Sequence, residues 1–269
     1  AEEYAFPPAA QKKLEYCGYI RREAGLKGRQ AVRDELGLSD QHKLVFVTPG
    51  GGKDGFRLIT NYLMGIDRYK NDSVYSLVLC GPEMLEEHVA TIKALAHGKS
   101  RCLIHSFTDD LMSYMAAADV VVSMFGYNTA CEILTLAKPA VVVPRIHPVR
   151  EQWIRAKCLA ELGLVKIIHP ELLDAESLHQ AIDALLFQGE QLRMPEQQMN
   201  LNALPVIKRI IADEIDIQNQ LINISTGTIE TLSRLNHPPI VFDGQLAEQS
   251  QSPVSDLPLQ SLHIEGKEL

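Results

Sequence analysis

The sequence of 269 residues predicts an α/β fold, a doubly wound and mostly parallel sheet. Three observations predict it: short apolar runs alternate with helical patterns along the chain, the runs have the length of strands, and they are continuously apolar. Continuously apolar strands are typical of a sheet that helices cover on both faces. We therefore expect one sheet between two layers of helices.

The elements alternate regularly over residues 44–187. The predicted strands are the apolar runs at 44–48, 74–80, 101–105, 119–123, 140–144 and 165–168. The predicted helices lie near 56–66, 83–97, 109–117, 128–137, 150–162 and 175–187. In such sheets ligands bind beyond the carboxyl ends of the strands. The loops expected to line one crevice are 49–55, 80–83, 105–109, 124–128 and 145–150.

The composition changes after about residue 190. "LNALPVIKRIIADEIDIQNQLINI" has helical apolar spacing, which predicts return helices within 191–225. Residues 226–269 are rich in Gln, Ser and Pro, which predicts a flexible, poorly ordered tail. The chain opens on "AEEYAFPPAAQKK", without an initiator Met or a signal-peptide pattern, and is interpreted as the interior of a longer protein.

Composition and charge exclude several classes of protein. The formal net charge of -8, without a cluster of Lys and Arg, argues against nucleic-acid binding. No apolar run reaches the roughly 18 residues of a spanning helix, so the chain is not expected to be integral to a membrane. Its 5 cysteines form no C-x-x-C pair, which argues against disulfides and zinc and fits a cytoplasmic location.

A glycine-rich turn, "GGGKDG" at 50–55, follows the first strand and satisfies G-x-G-x-x-G. Backbone N–H groups there, including those of Gly51 and Gly52, could face a diphosphate; a tight turn without a ligand is the alternative. A Walker A loop is excluded because Lys53 is followed by Asp54. A dinucleotide-binding enzyme would require an acidic residue at the end of the second strand, roughly 20 residues past the glycines. Glu83 could take this role but fits it poorly, because it lies about 30 residues past them.

A second glycine turn lies in "DVVVSMFGYNTACEILTLAKPAVVVP", residues 119–144, which predicts strand, turn, helix and strand. We expect Asn128 or Thr129 to cap the helix and Glu132 to lie in its first turn. The Glu132 carboxylate could accept hydrogen bonds from ribose hydroxyls, or it could merely favour the helix N-terminus.

A set of motifs in one order and spacing resembles the C-terminal, donor-binding domain of family 28 glycosyltransferases. The motifs are "YCGYIRR", "VTPGGGKDG", "HSFTDDLMSYMAAADVVVS", "GYNTACEIL", "KPAVVVPRIHPVREQWIRA" and "LGLV". The likeness extends from about 16 to 212. This family contains the bacterial peptidoglycan N-acetylglucosaminyltransferase, and the chain looks most like its uncharacterised members. The resemblance implies a Rossmann-like GT-B domain.

The resemblance also implies where a nucleotide-sugar donor would lie. Phe107 and Thr108 would meet the base, and Glu132 the ribose. The sugar would meet Glu151 and Gln152. His147 lies in the same loop, where it could contact the donor or make an ordinary hydrogen bond within the loop. The residues implied at the diphosphate are Arg21, Gly51, Gly52, Gly126, Tyr127, Asn128 and Thr129. Two positions depart from the family: Gly52 stands where serine is common, and Glu151 where an amide is common, which leaves the sugar's identity open.

The activity implied is an inverting, metal-independent transfer of a hexosyl group from a UDP-sugar to an unknown acceptor, with no cofactor. Residues 1–20 would be a linker from an N-terminal acceptor domain that also carries the catalytic base, and 21–190 the donor domain. This chain would then bind donor without turnover, and peripheral membrane association would be compatible with it. A NAD-dependent oxidoreductase, a nucleotide-sugar epimerase and a noncatalytic sensor stay as alternatives.

Overall fold

The computed structural model describes residues 5–69, 73–195, 199–216 and 218. The chain divides into two units, Ala1–Asp213 and Glu214–Leu269, and the sheet lies in the first. The strands are β1 (Lys43–Thr48), β2 (Val74–Leu79), β3 (Cys102–His105), β4 (Val120–Ser123), β5 (Ala140–Val142) and β6 (Lys166–Ile167). The helices are α1 (Pro8–Gln11), α2 (Arg29–Glu35), α3 (Phe56–Gly65), α4 (Glu86–Ala96), α5 (Leu111–Ala117), α6 (Tyr127–Thr135), α7 (Glu151–Glu161), α8 (Ala175–Leu186) and α9 (203–216).

The strands form a 6-stranded parallel sheet in the order β3-β2-β1-β4-β5-β6. The chain builds outward from β1 to β3 and then returns to place β4 on the free side of β1. Strand order therefore reverses between β1 and β4, where Val47 pairs with Val122. In open sheets of this kind the ligand crevice lies at that switch point. The doubly wound α/β fold predicted from the sequence is confirmed.

Both faces of the sheet are buried, as the continuously apolar strands predict. In β1, Val45 and Val47 point into one apolar cluster, and Leu44 and Phe46 into the other. The first cluster is completed by α3, α4 and α8, and the second by α2, α5, α6 and α7. Burial of apolar side chains on both faces stabilises the sheet by roughly 25 cal/mol per Å² of apolar surface removed from water.

Two of the helices begin with a side-chain N-cap. Asp110 is the N-cap of α5 and accepts a hydrogen bond from Ser113 N at 3.4 Å. Asp174 caps α8 through a capping box with Ser177. Each cap satisfies an N–H group that the first turn of a helix leaves without an intrahelical partner.

Some elements differ from the sequence predictions. Helix α2 was not predicted, because "RQAVRDE" carries few apolar residues, and only Val32 and Arg33 of it are buried. Helical backbone over 203–216 falls within the predicted return helices, whereas the tail at 226–269 lies outside the described residues. No described helix combines the length and apolar character needed to cross a bilayer.

Candidate functional site

A cavity of about 340 Å³ lies at the switch point, between the turns that follow β1 and β4. One wall is the glycine turn after β1, and the other is the start of α6. Loop residues after β2 and β5 close its sides. Its lining residues are Pro49, Gly50, Gly51, Gly52, Lys53, Asp54, Glu83, Met124, Gly126, Tyr127, Asn128, Thr129, Arg145 and Gln152.

The glycine turn is shaped by a close approach of two backbones. Gly52 has φ of +99°, and a Cβ there would stand 2.4 Å from the carbonyl oxygen of Cys80. Gly81 has φ of +90°, and a Cβ on it would meet Gly50 O at 2.6 Å. Any side chain at Gly52 would strike the turn after β2. The glycine that replaces the family's common serine is therefore required by this packing.

The second turn is held by side chains behind it. Phe125 is fully buried with φ of +61°, and its N–H donates to Ser123 Oγ at 2.9 Å. Arg155 is buried, and its Nη1 donates to Phe125 O at 3.0 Å, while its guanidinium lies 5.4 Å from the ring centroid of Tyr127. A strained turn fixed by a buried cation is typical of a functional site.

The expected cap of α6 was wrong. The N-cap is Gly126, without a side-chain cap, so Asn128 and Thr129 lie inside the first turn. The tight turn at Phe125 starts the helix earlier than the sequence pattern predicts. The uncapped first-turn N–H groups face the cavity together with the positive end of the helix dipole, an arrangement suited to an anion.

Glu132 lies in the second turn of α6 rather than the first, because the helix begins at Tyr127. It is only 9% exposed and does not line the cavity. Burial raises the pKa of its carboxyl above the usual value, and the Arg22 guanidinium, with Nη2 3.8 Å from Glu132 Oε1, offsets part of that rise. An acid desolvated in this way favours a partner that donates hydrogen bonds to it.

The residues implied at the base and at the start of the domain do not line this cavity. Phe107 is 62% exposed, and Thr108 accepts a hydrogen bond from Asp110 N through Oγ1 at 3.2 Å. Arg21 lines a separate cavity of about 390 Å³, which also includes Arg22. Arg22, which the sequence did not single out, is the residue that pairs with Glu132. The roles of Phe107, Thr108 and Arg21 stay predictions.

The residues implied at the sugar do not lie together in one cavity. Gln152 lines the cavity, and its Oε1 accepts from Arg145 N at 3.2 Å. The Glu151 carboxylate pairs with Arg155 and does not line the cavity. His147 lines an adjoining cavity of about 270 Å³. The structure thus brings Gln152, and not Glu151 or His147, next to the glycine turns.

Seven lining residues are absent from the predicted donor site: Pro49, Gly50, Lys53, Asp54, Glu83, Met124 and Arg145. All seven are in loops that were expected to line the crevice, so strand order was a usable signal. Their side-chain directions were not available from that signal. Arg145 Nη1 donates to Asp54 Oδ2 at 3.0 Å across the cavity wall. Within the described ranges no group of three or more His, Cys, Asp or Glu side chains is placed to hold a metal ion.

Comparison with known proteins gives consistent matches. The family model for the glycosyltransferase family 28 C-terminal domain matches residues 44–211. A UDP-N-acetylglucosamine–N-acetylmuramyl-(pentapeptide) pyrophosphoryl-undecaprenol N-acetylglucosamine transferase of Clostridioides difficile is 27% identical over 190 residues, 70% of this chain and 46% of that protein. An uncharacterized glycosyltransferase of Methanopyrus kandleri is 31% identical over 184 residues, 65% of this chain and 49% of that protein.

Among solved structures, WaaG, a glycosyltransferase involved in lipopolysaccharide biosynthesis, matches with a TM-score of 0.55 and 18% identity, over 78% of this chain and 58% of WaaG. That likeness concerns the fold alone and agrees with a GT-B domain. The chain spans less than half the length of the two curated relatives. The family match does not support the oxidoreductase or the epimerase alternative.

Proposed function

The chain belongs to glycosyltransferase family 28 through its C-terminal domain, and from this we propose that it binds a UDP-sugar for inverting, metal-independent transfer of a hexosyl group. The observation that carries the proposal is the cavity at the switch point, where the glycine turn faces the uncapped start of α6. Backbone N–H groups on both sides suit the two phosphates of a nucleoside diphosphate.

The chemistry follows from where charge develops. When the bond between the anomeric carbon and the diphosphate breaks, negative charge builds on the departing phosphate. Fixed N–H dipoles and the positive end of α6 stabilise that negative charge. The cationic side chains of Lys53 and Arg145, which line the cavity, stabilise it further. These groups can take the place of a divalent cation, which is why we propose a metal-independent reaction.

The acceptor and the general base are proposed to lie in another part of the enzyme. Relatives of this family are about twice as long as the part that this chain matches. We expect the chain alone to bind donor without turning it over. A reaction that converts an α-linked sugar on the donor into a β-linked product would then require that second part.

Calorimetric titration tests the ligand class. We expect UDP to bind this chain and NAD to bind at least about tenfold more weakly, because Glu83, the acid that could meet the ribose of a nicotinamide dinucleotide, follows the glycine turn by about 30 residues instead of about 20. Run with EDTA, the UDP titration should give the same affinity. Tighter binding of NAD, or loss of UDP binding in EDTA that magnesium restores, would contradict the proposal.

Gln152 is proposed to contact the sugar, because its side chain borders the cavity beside Gly126. Gln152→Ala should weaken binding of the preferred UDP-sugar by about fivefold while leaving UDP unchanged, since only the sugar loses a hydrogen-bond partner. The measurement is a panel of UDP-sugars titrated against wild type and variant.

The control separates sugar contact from loop support, since Gln152 also holds the Arg145 backbone. Gln152→Glu keeps an oxygen that can accept from Arg145 N but removes the side-chain N–H donors. Equal losses for UDP and for every UDP-sugar in Gln152→Ala, with binding close to wild type in Gln152→Glu, would assign Gln152 to the loop and not to the sugar.

A further inference from the structure

Two oppositely charged side chains meet in the wall of the donor cavity. Arg145, after β5, and Asp54, in the glycine turn, are 91 residues apart in sequence, and Arg145 Nη1 donates to Asp54 Oδ2 at 3.0 Å. Both are partly open to solvent, with side chains 40% and 46% exposed. A pair this exposed contributes little stability by itself, so it can be broken at low cost.

The surroundings leave the Arg145 side chain room to move. Its backbone is fixed, because its N–H donates to Gln152 Oε1 at 3.2 Å. Its side chain also lines the adjoining cavity of about 270 Å³, which shares Asp54, Met124 and Arg145 with the donor cavity. The backbone of Arg145 is therefore held in place, while its guanidinium lies between two cavities into which it can move.

One donor of this guanidinium is unsatisfied while it is paired with Asp54. Arg145 Nε is buried and has no hydrogen-bond partner among the described residues. A buried N–H without an acceptor disfavours the conformation that buries it. While Arg145 is paired with Asp54, its Nε–H therefore lacks an acceptor. A conformation of the side chain that gave Nε–H an acceptor would be favoured.

We infer that Arg145 is a diphosphate-binding residue that Asp54 holds until the donor arrives. The inference rests on the proposed function. A diphosphate offers more negative charge and more acceptor oxygens than one solvent-exposed carboxylate, and a guanidinium can bind it through two parallel N–H groups. Donor binding then transfers Arg145 from Asp54 to the phosphates, so Asp54 acts as a competitor that lowers donor affinity.

The opposite signs of two substitutions test this inference. With UDP titrated into the full chain, Arg145→Gln should weaken binding by about tenfold, since a charge-assisted hydrogen-bond pair is lost. Asp54→Asn should tighten it by about threefold, because the competing ion pair is removed. Arg145→Lys, which keeps the charge without the planar fork, should fall between wild type and Arg145→Gln.

The double variant and a matched control decide the mechanism. In the Arg145→Gln background, Asp54→Asn should change affinity by less than about twofold, because no guanidinium is left to release. Asp67→Asn, which removes the acid of the Lys99–Asp67 ion pair outside the cavity, should leave UDP affinity unchanged. Unfolding midpoints of all variants show whether each is folded.

Three results would overturn the inference. They are unchanged UDP affinity in folded Arg145→Gln, unchanged or weaker affinity in Asp54→Asn, and equal tightening by Asp54→Asn with and without Arg145. In each of these, wild type still binds UDP and the proposed function stands. Failure of wild type to bind UDP would instead refute the proposed function, and this inference with it.

Discussion

Gly52→Ala is expected to lower the free energy of unfolding by about 3 kcal/mol, the sum of a positive-φ cost and an overpacking cost of about 1–3 kcal/mol each. Gly52 has φ of +99°, which disfavours any side chain, and the new Cβ would stand 2.4 Å from Cys80 O. Neither the backbone of Cys80 nor that of Gly81 can move aside without disturbing the end of β2. Denaturant unfolding, with the slope checked for two-state behaviour, measures the loss.

Gly98→Ala is the matched control for the close approach. Gly98 also has a positive φ, +80°, but nothing lies within 4 Å of the Cβ that alanine would add. Its cost should be the conformational part alone, about 1 kcal/mol. If both variants lost the same stability, the contact between the turns after β1 and β2 would not be what requires glycine at position 52.

The fold was predictable from the sequence because its strands are buried on both faces. Runs such as "KLVFVT" and "VVVS" have no polar residue at alternate positions, so their length and spacing indicate parallel strands. Helix α2 escaped prediction because it packs through few apolar residues, and Arg33 is buried by pairing with Asp119 instead. That contact joins residues 86 apart in sequence, and no local pattern encodes it.

The site was predictable to the level of loops and not of side chains. Two glycine turns at strand ends indicate a crevice, and the cavity is there. The start of α6 depends on Phe125 adopting a positive φ, and Arg155 of α7 supports that conformation. Both features depend on tertiary contacts. The same holds for the pairing of Arg145 with Asp54 and of Arg22 with Glu132. Each contact joins residues that are distant in sequence, so no local pattern encodes it.

Glu132→Gln is expected to weaken UDP binding by tenfold or more, about 1.5–3 kcal/mol, without lowering the stability of the free protein at neutral pH. The ribose assignment predicts the first effect, because the amide replaces one acceptor oxygen and removes the charge. The second follows from burial, which raises the pKa of this carboxyl. Calorimetry with UDP and denaturant unfolding across pH measure the two effects on the same variant.

The sign of the pH dependence separates Glu132 from an ordinary surface acid. Because its folded pKa is raised, any stability that its protonated form contributes is present below the unfolded pKa of about 4.3 and is lost as pH rises through the folded pKa. Wild type should therefore lose stability relative to Glu132→Gln as pH rises from 4 toward neutral.

Glu35 supplies the control with the opposite sign. Hydrogen bonds from Lys27 and Tyr114 lower the pKa of its carboxyl, so its stabilising contribution is present above the unfolded pKa and is lost as pH falls through the folded pKa. Glu35→Gln should therefore cost stability at neutral pH and leave UDP affinity unchanged, since Glu35 lies outside the cavity lining. If Glu132→Gln instead bound UDP as wild type does while showing the predicted pH trend, Glu132 would be a buried acid of the fold, and the ribose would have to be held elsewhere.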